Sequence, residues 1–124
     1  MRVARTVLIV DDEAGFRTQA GRLLALRGFQ IAGEAGDAAG ALRLARELKP
    51  GAVLLDVNLP DRSGIEVARA LARMPSSPRV LLTSADADVG SEQVDECGAV
   101  AFVPKDELPS RDLVGLLTPV EAAP

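Results

Sequence analysis

The sequence predicts an α/β fold: one doubly wound, five-stranded parallel sheet with helices on both faces. Three observations predict it. Short apolar runs rich in β-branched residues alternate with helical stripes along nearly the whole chain. Glycine or proline stands at many of the junctions. Charged residues follow directly on three of the runs: Asp11 and Asp12 after TVLIV, Asp56 after AVLL and Lys105 after VAFVP.

Thr6–Val10 reads as a strand covered on both faces. Phe16, Ala20, Leu23, Leu24 and Arg27 then fall on one helical stripe, which Gly28 ends. Gln30–Ala35 is a weaker strand. Asp37 is the expected cap of a second helix whose apolar face is Ala38, Ala41, Leu42, Ala45 and Leu48, with Lys49-Pro50-Gly51 as the stop. Ala52–Leu55 is the third strand, ended by Asp56. After a polar turn, Ser63 is the expected cap of a helix that buries Ile65, Ala68, Leu71 and Ala72. Arg79–Thr83 is strand four. Asp88–Cys97 is a poor helix with only Val89, Val94 and Cys97 to bury, and Gly98 closes it. Val100–Val103 is the last strand, and Ser110 is the expected cap of a short helix carrying Leu113, Leu116 and Leu117. Residues 118–124 have no pattern and are expected to fray.

The 124 residues suit one domain, with 48% hydrophobic and 26% charged residues. A net charge of -4 and a pI near 4.8 argue against direct nucleic-acid binding. The single cysteine, Cys97, excludes an internal disulfide and reads as a small core residue, because the chain has no histidine to activate it. The apolar run before Asp11 is too short for a signal peptide or a membrane span. A cytoplasmic chain is expected.

Parallel strands deliver their carboxyl ends to one edge, where ligands of such folds bind. Asp11, Asp12, Asp56 and Lys105 should therefore converge there. A carboxylate after a buried run is a costly place for charge unless something uses it. Two adjacent aspartates call for a cation, and a set rich in oxygen and without histidine suits Mg²⁺ better than zinc. Asp11 or Asp12 could instead cap the first helix, and Glu13 reads as a carboxylate favouring that helix's dipole. Asp56 lies too far upstream to cap the helix at Ser63. With its charge partly neutralised it could attack phosphorus. Lys105 would pair first with Asp56 and later with its phosphate. The hydroxyls of Thr83 and Ser84 point to opposite faces, so only one can serve the site.

VLIVDDE, LLDVNLPDRSG, LLTSA and FVPK, in this order and spacing, resemble the four signatures of the receiver domain of bacterial two-component response regulators. The resemblance covers about residues 5–117. It implies a flavodoxin-like, chemotaxis-regulator-like sheet of strand order 2-1-3-4-5, which periodicity alone does not give. It implies Asp56 as phosphoacceptor, Asp12 as a direct Mg²⁺ ligand, Asp11 as one acting largely through water, and the backbone carbonyl of Asn58 as a further ligand. Ser84 matches the switch hydroxyl, Lys105 the phosphate-pairing lysine and Phe102 the switch aromatic, here without a hydroxyl. Where the family commonly has proline after the lysine, Asp106 follows. Asn58 and Asp86 lie two residues beyond the acceptor and the switch serine. Both are small and polar, so they leave attacking water a path and imply a short-lived phosphorylated state.

The expected domain is residues 1–117, with 118–124 a frayed tail or the start of a linker. The donor would be a sensor histidine kinase or phosphotransfer protein, since the chain has no histidine. No output domain is expected within the chain. Signalling would run to a downstream protein, or a second copy of the chain, through the face of the fourth helix, fifth strand and last helix, which has the least apolar anchoring. A haloacid-dehalogenase-type phosphatase would want a carboxylate at position 58, which is asparagine. A flavin binder would want stacking aromatics, and there are three Phe with no Tyr or Trp. The remaining alternative is a receiver-like binding module that switches without phosphorylation, for which Mg²⁺ affinity is the discriminating property.

Overall fold

A computed structural model describes residues 5–119. The elements are β1 (Thr6–Val10), α1 (Ala14–Leu26), β2 (Gln30–Ala35), α2 (Ala38–Leu48), β3 (Ala52–Asp56) and α3 (Gly64–Ala72). They continue with β4 (Arg79–Ser84), α4 (Ser91–Cys97), β5 (Ala101–Pro104), a 3-10 helix (Lys105–Ser110) and α5 (Leu113–Leu117). The five strands pair in parallel in the order β2-β1-β3-β4-β5, as expected.

Strand alternation divides the core between the two faces of the sheet. Leu8, Val10, Val53, Leu55, Val80 and Leu82 pack against α2, α3 and α4. Val7, Ile9, Leu54, Leu81 and Val103 pack against α1 and α5 through Ala20, Leu24, Leu113 and Leu117. The central strands are buried on both sides, which is why they read as unbroken apolar runs. The β1–β2 ladder slips by one residue: Val7 pairs with Ile31 but Leu8 with Gly33.

Several expectations need correction. Leu48 ends α2 with 43% of its surface exposed, reaching over Gly33 on the edge strand rather than into the core. In α3, Ala72 is exposed and Val67 is fully buried. Helix α4 begins at Ser91, not Asp88, although Val89, Val94 and Cys97 are all buried. Strand β5 lies one residue later than expected. Ser110 does not cap α5: its hydroxyl donates to the Glu107 carbonyl at 2.9 Å, inside the 3-10 helix the pattern did not reveal. The cap is Asp112, which accepts from the Gly115 N–H at 3.0 Å. Of the expected tail, Thr118 is partly buried and donates its N–H to Val114, while residues 120–124 lie outside the described residues.

Gly28 and Gly98 close α1 and α4 with φ of 91° and 81°, the left-handed region that glycine enters without strain. Gly64 serves a different need. A Cβ there would run into the Asp56 carbonyl oxygen and lie 2.7 Å from Val57 Cα. The first turn of α3 is thus pressed against the end of β3, and the Gly64 N–H donates to Val57 O at 2.7 Å. Gly64→Ala should cost roughly 2 kcal/mol through this collision with backbone. A lowered urea midpoint with an unchanged denaturant slope is the expected measurement.

Candidate functional site

Sheet register brings the charged residues together. Val10 pairs with Leu55, so Asp11 and Asp56, the next residues, stand side by side where β1 and β3 end. Asp56 pairs with Thr83 and Ser84 with Pro104, so Lys105 emerges on the same edge. Oxygens of Asp11, Asp12 and Asp56 all lie within 4.8 Å of one another. Asp11 is fully buried, Asp56 is 5% exposed, and Asp12 faces solvent.

Each carboxylate is aimed by backbone donors. Asp11 Oδ1 accepts from the Glu13 N–H at 2.9 Å, and Asp56 Oδ1 accepts from the Asn58 N–H at 3.1 Å. The second oxygens face Lys105, whose Nζ lies 2.7 Å from Asp11 Oδ2 and 3.7 Å from Asp56 Oδ2. Lys105 therefore forms the expected ion pair with Asp56 and a closer one with Asp11, which sequence spacing did not announce. Asp11 Oδ2 is buried, and among the described residues the cation that meets it is Lys105. A buried carboxylate oxygen with capacity to spare, beside two others, fits a hard divalent cation, and this cluster could bind a metal.

Burial, with the charge of Asp11 adding to it, pushes Asp56 up to about 6, while the Asn58 N–H and the Lys105 ammonium pull the other way. Burial pulls Lys105 down, but its ion pairs with Asp11, Asp56 and Glu13 outweigh that, and its pKa is raised.

A second group of polar side chains adjoins the carboxylates. Asn58 Nδ2 donates to Ser84 Oγ at 3.3 Å and to Asp86 Oδ1 at 3.2 Å. Ser84 Oγ also accepts from the Ala87 N–H at 2.9 Å. Thr83 turns the other way and donates to the Val103 carbonyl at 2.7 Å, so its hydroxyl is spent within the sheet. Phe102 stands apart, partly buried against the core on the α2–α4 face.

Three residues join the site that sequence reasoning missed or read differently. Glu13, read as a dipole-favouring carboxylate of the first turn, is the N-cap residue of α1 without a side-chain cap bond, and its Oε1 lies 3.5 Å from Lys105 Nζ. Phe16 lies on the apolar stripe of α1 and packs against the core, and its ring centroid also lies 4.3 Å from Lys105 Nζ. Its stripe position hid this second role. Arg17 donates to the Asp11 carbonyl at 2.6 Å and pairs with Glu34 on β2 at 3.0 Å, and no local pattern announced it.

The response regulator receiver domain model matches residues 7–117. The chain belongs to that family. The transcriptional regulatory protein PdtaR of Mycobacterium tuberculosis is 39% identical over 103 residues, 83% of this chain and 50% of that protein. The chemotaxis protein CheY of Thermotoga maritima is 29% identical over 113 residues, 88% of this chain and 92% of its own. A crystal structure of a two-component response regulator of the LuxR family from Aurantimonas superposes with a TM-score of 0.78 at 32% identity, covering 91% of this chain and 81% of that one. The receiver domain spans about half the length of PdtaR. It is homologous to two-component response regulators and carries an acidic pocket consistent with the family's phosphoacceptor role. Among the described residues no helix is long and apolar enough to cross a membrane.

Two measurements probe this electrostatic arrangement. Because the folded pKa of Asp56, about 6, exceeds its ordinary 3.8, folding favours the protonated form. That contribution is full below pH 4 and is lost as pH rises through 6, leaving a penalty of about 3 kcal/mol at neutral pH without metal. Asp56→Asn should remove it. Melts in chelator should show the variant more stable than wild type at pH 7.5, with the gap shrinking toward pH 4. For Phe16 and Lys105, a double-mutant cycle using Phe16→Leu and Lys105→Met should return a coupling of about 1 kcal/mol in urea unfolding. A cycle that closes at zero would show the ring to be packing only.

Proposed function

We propose that Asp56 is the phosphoacceptor of this receiver domain, taking a phosphoryl group from the phosphohistidine of a sensor kinase or phosphotransfer protein. The observation that carries the proposal is the buried Asp56 carboxylate, fixed at Oδ1 by the Asn58 N–H and set beside the acidic pair and Lys105. Its oxygen attacks phosphorus in line, the P–N bond to imidazole breaks as the P–O bond forms, and the imidazole nitrogen keeps the electron pair. Lys105 and the Ser84 hydroxyl then meet the transferred oxygens, Lys105 as a point charge and Ser84 as a donor. Mg²⁺ is the proposed cofactor, held by Asp11, Asp12, Asp56 and the Asn58 carbonyl, and when bound it supplies charge neutralisation and polarises the phosphoryl oxygens. The domain catalyses only its own phosphorylation and dephosphorylation. Asn58, bridging Ser84 and Asp86, is positioned to orient the hydrolytic water.

The output is a protein-binding surface of α4, β5 and α5, with Phe102 and Ser84 as the switching residues. The Ser84 hydroxyl holds the loop that leads into α4, and that helix has only seven residues. A change of partner at Ser84 therefore bears on the least anchored helix on the α2–α4 face. The partner is a downstream protein target or a second copy, reached in the cytoplasm. The receiver domain is residues 1–117.

Incubation with a phosphoramidate and Mg²⁺ should add one phosphoryl group by intact mass, and chelator or Asp56→Asn should abolish it. Equal labelling of Asp56→Asn would overturn the assignment, and equal labelling in chelator would remove the metal from it.

A further inference from the structure

The loop between β3 and α3 carries Asn58 and is held in two different ways. Its base is closed tightly. Asn58 and Ser63 form an isolated antiparallel bridge, the Gly64 N–H donates to Val57 O at 2.7 Å, and Ser63 Oγ caps α3 by accepting from the Ile65 N–H at 3.1 Å. The tip is held from outside, by the next helix over. Asp61 Oδ1 accepts from the Ala38 N–H at 2.8 Å, and Oδ2 from the Ala39 N–H at 3.1 Å.

Those two N–H groups belong to the first turn of α2, whose own cap is Asp37, bonded to the Gly40 N–H at 2.7 Å. Asp37 already supplies the capping that the helix needs from its own sequence. The Asp61 contact spans 23 residues and joins α2, packed on the sheet, to the loop beside Asp56. Helix N-terminal donors keep Asp61 charged, since its pKa is lowered chiefly by the Ala38 N–H.

We propose that Asp61 is a positioning residue of the metal site: by fastening the loop tip to α2 it sets where the Asn58 carbonyl points. The inference rests on the proposal above that this carbonyl is a Mg²⁺ ligand. A carbonyl three residues from a free tip would sample many directions, whereas one between a bridged base and a fastened tip is held in one. Loss of a residue that orients a ligand typically weakens metal binding by about tenfold or more.

Asp37→Ala is the control, because it removes a cap from the same helix without touching the loop. Titration calorimetry with Mg²⁺ alone should give a dissociation constant roughly tenfold weaker for Asp61→Ala than for wild type. Asp61→Asn, which keeps one acceptor oxygen, should fall between, and Asp37→Ala should match wild type. Hydrogen exchange should show faster exchange over residues 57–63 in Asp61→Ala only. Unchanged affinity in Asp61→Ala overturns the inference while leaving the metal site standing. Equal weakening in Asp61→Ala and Asp37→Ala also overturns it, since the effect would then be helix stability alone. A wild-type protein that binds no Mg²⁺ overturns both this inference and the Mg²⁺ reading beneath it.

Discussion

Two carboxylates buried side by side at the end of a sheet form the constraint on which the rest of this structure depends. Asp11 and Asp56 are held in place by the pairing of β1 with β3, so the repulsion between them cannot be relieved by moving apart. The protein answers with one ammonium, Lys105, and with a proton affinity at Asp56 raised by burial. Lys105 in turn is held over Phe16 and emerges from β5 into a 3-10 helix that fixes its direction. Such a pocket is uncomfortable when empty and gains most from a cation.

The loops around that pocket are held by contacts between elements distant in sequence. Arg17 reaches from α1 to the Asp11 carbonyl, Asn58 from the β3–α3 loop to Ser84 and Asp86, and Asp61 from the same loop to α2. Each tie uses a backbone group or a small polar side chain rather than apolar bulk. The scaffold is therefore rigid at the sheet and adjustable at its edge, an arrangement suited to a site that must admit a ligand and report its arrival.

The sequence discloses this molecule unevenly, for physical reasons. Strands buried on both faces leave an unmistakable run, so the bounds of β1 agree to the residue and those of β3 and β4 to within one at their ends. The edge strand β2, with only Ala35 buried, gives a weaker signal, although its bounds agree as well. The cluster of Asp11, Asp12, Asp56 and Lys105 was legible because strand ends of a parallel sheet share an edge. Short elements with few apolar residues were not legible: α4 began late, and the 3-10 helix was absent from the pattern because its cohesion lies in local turns. Asp112 rather than Ser110 caps α5 because Ser110 is already engaged at the end of that 3-10 helix. The close approach of Lys105 to Asp11, and the parts played by Glu13, Phe16, Arg17 and Asp61, depend on three-dimensional approach that no local spacing encodes.

The slip in the β1–β2 ladder reaches further than the edge strand that contains it. Beyond it Ile9 pairs with Glu34, so both side chains share the α1 face of the sheet. In unslipped phase Glu34 would stand beside Val10 and face α2 instead. The extra residue thus works as a half-step in the strand's parity. It delivers a carboxylate to Arg17, whose guanidinium holds the carbonyl of Asp11. A single inserted position at the rim of the sheet is in this way transmitted, through one ion pair and one hydrogen bond, to the geometry of the acidic pocket.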